Sequence, residues 1–315
     1  MKILSRLALV AGAFVAMVSA YAQDVPKYYQ AAATIIGKKG TLNADGSFRI
    51  NIPRSDLSFT SELGMPIPVD MGLATYAAFS GTQNAALLVG DVAMLRHEID
   101  GVVDALRSGG IEVVALHNHM TSESPRLFFM HFRGKGSVST LARTFRKAID
   151  ACGKPAPKTA PSKSGKPEVD WAAIEKTLGV KRTIFDSGVV RFATPRKDLT
   201  VTVNGLPFLP GMGLGSWATF NRCECGMTMV MGDTCTTRSE LQGVIDALRT
   251  AGISVTAIHN HIVGGSQELM FLHYEGEGVA AKLANGIRAC WNALGKQPTS
   301  TPPATMRPKW FRNHS

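Results

Sequence analysis

The chain has 315 residues, 45% of them hydrophobic, and a formal net charge of +10. That is core material for two modest domains or one large one. The positive excess is carried by Lys2 and Arg6, by four lysines in residues 153–167, and by Lys296, Arg307, Lys309 and Arg312; those segments hold no acid, so the rest is formally neutral. Basic, Pro-rich stretches such as "GKPAPKTAPSKSGKP" are solvated linkers, and no folded nucleic-acid-binding face is expected.

The chain opens with a secretory-signal pattern. Lys2 and Arg6 precede an apolar run, Leu7 to Val18, too short to span a bilayer, and Ala20-Tyr21-Ala22 fits the small-x-small cleavage rule. A cut after Ala22 predicts a periplasmic or secreted protein. No cysteine near the cut offers a lipid anchor, and no later stretch predicts a membrane span.

In the first copy, "SFRINIP" and "LSFTSEL" predict short strands and "NAALLVGD" an apolar strand. "RHEIDGVVDALRSGG" has Ile99, Val102, Val103 and Leu106 at helical spacing and stops at glycines. "IEVVALHNHM" is apolar on both faces, which predicts a central buried strand. "PRLFFMHF" predicts its partner and "VSTLARTFRKAIDACG" a closing helix. The latter half reads β-α-β-β-α.

The chain then repeats itself. "ALRSGGIEVVALHNH" (105–119) lies over "ALRTAGISVTAIHNH" (247–261) with ten identities in fifteen positions, and "PRSDL" (53–57) over "PRKDL" (195–199). "MGLATYAAF" (71–79) lies over "MGLGSWATF" (212–220) one residue out of phase, implying an insertion near 221–226. Two long copies predict homologous domains rather than a solenoid. The expected organisation is a signal (1–22), a first repeat domain (23–152), a linker (153–168), a second repeat domain (169–295) and a basic tail (296–315). The expected class is α+β, each repeat a mixed or antiparallel sheet covered by helices.

Six of the eight histidines fall at matching places in the two copies: His117, His119 and His131, then His259, His261 and His273. Alternation along a strand puts His117 and His119 on one face. If the next strand pairs with His131 opposite His117, the three imidazoles of a copy converge; a one-residue slip would send His131 to the far face. Three imidazoles around one cation leave a position open for water or substrate, which suits zinc best; copper, iron and nickel are also compatible. The bland alternative is a structural polar cluster.

Glu98 and Glu240 are candidates for a fourth ligand or for a base activating metal-bound water, against a helix-start role. Asp91 and Asp233 are candidates to orient a histidine, though each ends a predicted strand after a glycine, which favours a turn or cap. Arg54 and Arg196 read as internal ion pairs with Asp56 and Asp198. Arg126, unique to the first copy, is the candidate clamp for an anionic substrate.

Five cysteines allow disulfides in an exported chain, and the spacing suggests a bridge from Cys235 to Cys223 or Cys225. Cys223, Cys225, Met227, Met229 and Met231 would share a strand face suited to Cu(I). The matching first-copy positions, near Ala85, Leu87 and Val89, are plain core residues, which assigns the methionines to the core and leaves copper secondary.

The segments "ALRSGGIEVVALHNH", "SPRLFFMHFRGKG" and "MFLHYEGEG" resemble the LppY/LpqO family, a domain of unknown function (1259) found in exported bacterial proteins. The resemblance covers nearly all of the mature chain in two tandem copies and implies export and a paired-domain build without assigning a reaction. Gln267-Glu268 replace Pro125-Arg126 in the second copy, which puts that copy's site in question. The expected function is an exported metal-binding protein, with metal-dependent hydrolysis of a cell-envelope substrate as its enzymatic form. The alternatives are a non-catalytic metal- or ligand-binding module and a structural envelope protein.

Overall fold

A computed structural model describes residues 24–62, 64–153, 169–222 and 226–295. The signal segment, most of the linker, the basic tail and Cys223 and Cys225 lie outside the described residues. The first copy contains α1 (Lys27–Ile36), β1 (Gly40–Leu42), β2 (Phe48–Pro53), β3 (Phe59–Thr60), β4 (Pro66–Ile67), β5 (Ala74–Gly81), β6 (Ala86–Met94), α2 (Ile99–Ser108), β7 (Glu112–His117), β8 (Phe128–Gly136) and α3 (Val138–Asp150). The second contains α4 (Trp171–Leu178), β9 (Arg182–Ile184), β10 (Val190–Pro195), β11 (Val201–Val203), β12 (Leu206–Phe208), β13 (Gly215–Arg222), β14 (Thr228–Thr237), α5 (Leu241–Thr250), β15 (Ser254–His259), β16 (Leu269–Gly278) and α6 (Ala280–Asn292).

Each copy is a six-stranded antiparallel sheet, ordered β1-β2-β5-β6-β8-β7 in the first and β9-β10-β13-β14-β16-β15 in the second. The class is α+β with two repeats, and the β-α-β-β-α order holds from β6 to α3. "IEVVALHNHM" does not form a central strand. β7 is an edge strand, with Leu116 exposed, as is its counterpart β15, with Ile258 exposed. The central place belongs to β6, in which every residue is buried.

Alternation explains the layers. On β6 and β8, Leu88, Val92, Met130 and Phe132 point to one face and pack under α1, α2 and α3. Ser137 starts α3 by accepting from the Thr140 N–H. The other face of the first sheet turns toward the second copy. There Ala78, Leu87 and Val89 pack against Val201, Val203, Phe208 and Met212 from the β11–β12 arm. Reciprocally, Phe59, Met65 and Ile67 of the β3–β4 arm pack against Met229 and Met231 on the inner face of β14. Each copy's hairpin thus clasps the other copy's sheet, and the two copies share a core. Polar ties fasten the clasp: Ser80 Oγ donates to Pro207 O (2.6 Å), Asn221 Nδ2 to Pro66 O (3.0 Å), and Gly211 N–H to Asp45 Oδ2 (2.7 Å).

Cys235 is buried within β14 and is a free thiol, while Cys223 and Cys225 lie outside the described residues. The expected bridge from Cys235 is not formed in this structure. Met229 and Met231 are apolar filler, as their first-copy counterparts suggested.

Candidate metal centre

The inner faces of the two sheets carry the histidines. His131 stands in β8 directly opposite Asp91 on β6 and opposite Ala115 on β7, so all three side chains share a face. His117 pairs with Phe129 instead, because a bulge between Val113 and Ala115 sets the register. The register therefore differs by two residues from the expected His117–His131 pairing, and a shift of two keeps the face. The second copy repeats this with His273 opposite Asp233 and Ala257, and His259 opposite Phe271. His119 and His261 lie just past the strand ends and stack on Phe129 and Phe271, ring centroids 3.3 and 3.4 Å apart.

Because those faces meet, each histidine's nearest histidine lies in the other copy. The His117 and His259 rings stack at 3.8 Å, His119 meets His273 at 3.9 Å, and His131 meets His261 at 3.9 Å. His131 Nε2 and His259 Nε2 are 3.2 Å apart. Two overlapping groups bring their ligand nitrogens within 4.8 Å of one another: His117, His119 and His273, and His117, His131 and His259. The imidazoles expected as one triad per repeat thus meet across the copies: five of the six fall in these two groups, with His117 common to both, and His261 joins them through its ring contact with His131.

The backbone fixes the tautomers. His131 Nδ1 donates to Gly90 O (3.1 Å), His273 Nδ1 to Gly232 O (3.1 Å) and His119 Nδ1 to Gly72 O (3.0 Å). A carbonyl only accepts, so the proton sits on Nδ1 and the Nε2 lone pair faces the centre, as in a metal-ligating histidine. A Cβ at Gly90 would come within 2.2 Å of Tyr76 O, so only glycine lets the strand hold this carbonyl here.

Burial drives all six imidazoles toward the neutral form. It pulls His119 and His273 down to about 3 and lowers His117, His131, His259 and His261, with neighbouring imidazoles adding to the effect. Asp91 and Asp233 are pushed up to about 6 by burial, against the pull of His131 and His273. Asp91 Oδ2 lies 3.2 Å from His119 Nε2 and 3.9 Å from His131 Nε2, and Asp233 Oδ2 lies 3.3 Å from His261 Nε2. The short contacts lack hydrogen-bond alignment, and His119 Nε2, His261 Nε2, His273 Nε2, both His117 nitrogens and one oxygen of each aspartate have no hydrogen-bond partner among the described residues. Each such buried orphan costs about 1–3 kcal/mol, a cost that a cation taking several lone pairs would relieve at once. Asp91 and Asp233 thus stand among the histidines rather than in a turn or cap. β6 and β14 run on past them to Met94 and Thr237, so neither aspartate ends its strand.

The two residues expected to carry catalysis lie elsewhere. Glu98 is buried against Arg54 (2.7 Å) and also accepts from the N–H groups of Leu95 (2.7 Å) and Gly153 (2.6 Å). Burial raises its pKa, but those partners outweigh it and hold the carboxyl below the usual range, unsuited to a base. Glu240 repeats this with Arg196 (2.9 Å) and the Thr237 N–H (2.7 Å). Each Arg–Glu pair, joined by Asp56 or Asp198, braces the helix start of its own copy. Arg126 donates to Thr121 O (2.8 Å), faces Glu123, and is half exposed outside the cleft over the histidines.

That cleft, roughly 560 Å³, has His131, His273, Asp91 and Asp233 in its wall, with Tyr76 and Trp217 beside them. Arg49 lies 3.7 Å over the Tyr76 ring and Arg191 4.5 Å over the Trp217 ring. These four were missed from sequence. The signal was there: the internal alignment lays Arg49 over Arg191 and Tyr76 over Trp217.

Fold and site define a duplicated α+β protein with one histidine–aspartate centre built by both copies. The chain belongs to the family described as Domain of Unknown Function (DUF1259), which matches residues 30–151 and 172–293. No curated protein matches it. Among solved structures it is similar to EtuB from Clostridium kluyveri at 10% identity, covering 81% of this chain and 89% of that one with a TM-score of 0.21. The trimeric bacterial microcompartment shell protein PduB matches at 11% identity, covering 81% and 92%, with a TM-score of 0.18. TM-scores this low do not establish a shared fold, and nothing about function rests on them.

Proposed function

We propose that the chain is a metal-binding protein whose centre is assembled jointly by the two copies. One observation carries this: inward-facing imidazole lone pairs from both copies, held there by backbone carbonyls, meet at one buried point without other partners. The spacing fits zinc. Tetrahedral Zn–N bonds of about 2.0–2.1 Å place ligand nitrogens about 3.3 Å apart, and His131 Nε2 and His259 Nε2 stand 3.2 Å apart. Copper is the second choice, bound through imidazoles rather than through Met229 and Met231, which are packed in apolar core. Export through the segment ending at Ala22 completes the reading and would place the centre in the periplasm or outside the cell.

The open cleft favours a second, enzymatic reading: metal-assisted hydrolysis of an extracytoplasmic substrate. Asp91 or Asp233, poised near 6, would serve as the base in place of Glu98. The deciding experiment is metal analysis of the purified mature protein after reconstitution with zinc or copper, alongside His117→Ala and His131→Ala/His273→Ala. Bound metal in the parent and its loss in the variants is the expected result; equal, near-zero metal in all three overturns the proposal.

A further inference from the structure

The arginine pair in the cleft has no counterpart in the metal reading. Arg49 is half-buried; its Nε donates to Asn51 Oδ1 (3.0 Å) and its Nη1 to Gly211 O (3.3 Å). Arg191, also half-buried, has no hydrogen bond to a side chain or backbone group among the described residues; it lies over the Trp217 ring and within electrostatic reach of Asp233. Neither pairs with a carboxylate among the described residues, in contrast to Arg54 and Arg196, which are fully paired in the same sheets. The two come from equivalent positions of β2 and β10 and line one cleft with the histidines and aspartates. They are near enough for the charge of Arg49 to disfavour protonation of Arg191, on top of burial. Asp91 and Asp233 act on Arg49 and Arg191 electrostatically but form no direct ion pair with them. Two desolvated guanidinium groups without a contacting carboxylate are costly, and their forked donors match the oxygens of a phosphate or carboxylate. The stacked rings fix each fork; the donors of Arg191 and the Nη2 of Arg49 remain for a ligand.

We infer that this cleft binds an anionic ligand whose oxyanion group, phosphoryl or carboxylate, is held between Arg49 and Arg191 with its body against Tyr76 and Trp217. This names the ligand class for the proposed metal centre and rests on that reading only for the ligand's contact with the metal. The mature protein, metal-free and zinc-loaded, is titrated calorimetrically with inorganic phosphate and, separately, with acetate. At least one should bind, and Arg191→Gln and Arg49→Gln should each weaken it about tenfold or more. Both variants should keep the parent's zinc stoichiometry and melting temperature. Phosphate binding alone marks a phosphoryl ligand and acetate alone a carboxylate; either supports the inference. No binding of either anion up to about 50 mM, in either metal state, overturns it, as does binding that both glutamine variants retain unchanged. Arginine-dependent anion binding by a protein that takes up no zinc would sink the metal reading and leave this one standing.

Discussion

Acidifying the metal-free protein should cost it a large share of its stability. Five of the imidazoles, His119, His131, His259, His261 and His273, are buried, and burial lowers the pKa of each. In the unfolded chain each titrates near its ordinary value of about 6.5. Above that value both states are neutral and the shift contributes nothing. As pH falls below it, the unfolded chain binds protons that the native state refuses, so stability falls with pH. Going from about pH 7.5 to about pH 5.5, each imidazole costs about 1.4 kcal/mol, roughly 7 kcal/mol for the five. Asp91 and Asp233 act the other way. Raised to about 6 in the native state, they take up protons there before the unfolded chain does. Each returns about 0.8 kcal/mol over the same interval, leaving a net loss of about 5 kcal/mol. That is a third or more of the stability of an ordinary protein. Urea unfolding of EDTA-treated mature protein at the two pH values measures it. A free energy that changes by less than about 1 kcal/mol would refute the burial of neutral imidazoles on which the site rests.

Zinc at about a hundredfold its dissociation constant should add about 2.7 kcal/mol and raise the melting temperature by about 5–10 °C, read by scanning calorimetry, with the increment absent in His117→Ala. Gly90→Ala would drive a Cβ against Tyr76 O and the Phe132 ring. It should cost about 1–3 kcal/mol or more in urea unfolding and reduce bound metal, since Gly90 O holds His131. Glu98→Gln breaks a buried ion pair with Arg54 and should lose about 3–5 kcal/mol in urea unfolding. Its zinc stoichiometry by elemental analysis should not change, which separates a structural brace from a site residue.

The sequence displayed the histidines because six of eight recur at one repeat distance, and it displayed the strand order because the apolar runs are short and separated by turn signals. It concealed whatever depends on the contact between copies. Periodicity within "IEVVALHNHM" shows that both faces are apolar but not which strand lies at the edge, where β7 leaves Val113 and Leu116 exposed. Asp91 and Asp233 looked like strand ends because Gly90 and Gly232 precede them, whereas the glycines are there to offer carbonyls to His131 and His273. The paired Glu98 and Glu240 recur as faithfully as the histidines, and recurrence alone does not tell a brace from a base.

The exchange of hairpin arms decides how the two copies divide the work. Since His117 and His259 stack on each other and His119 and His131 reach across to His273 and His261, neither copy encloses the centre alone. The replacement of Pro125-Arg126 by Gln267-Glu268 therefore does not silence one of two sites. Arg126 points away to Thr121 and Glu123, and all six imidazoles are present whichever loop is examined. Duplication gave the centre its near two-fold symmetry, and the cleft then departs from it at Tyr76 and Trp217, Asn51 and Ala193. A near-symmetric histidine centre under an asymmetric wall is the arrangement expected when one ligand, itself without two-fold symmetry, is held in a single orientation. The asymmetric positions, rather than the histidines, are where ligand preference should change when they are exchanged.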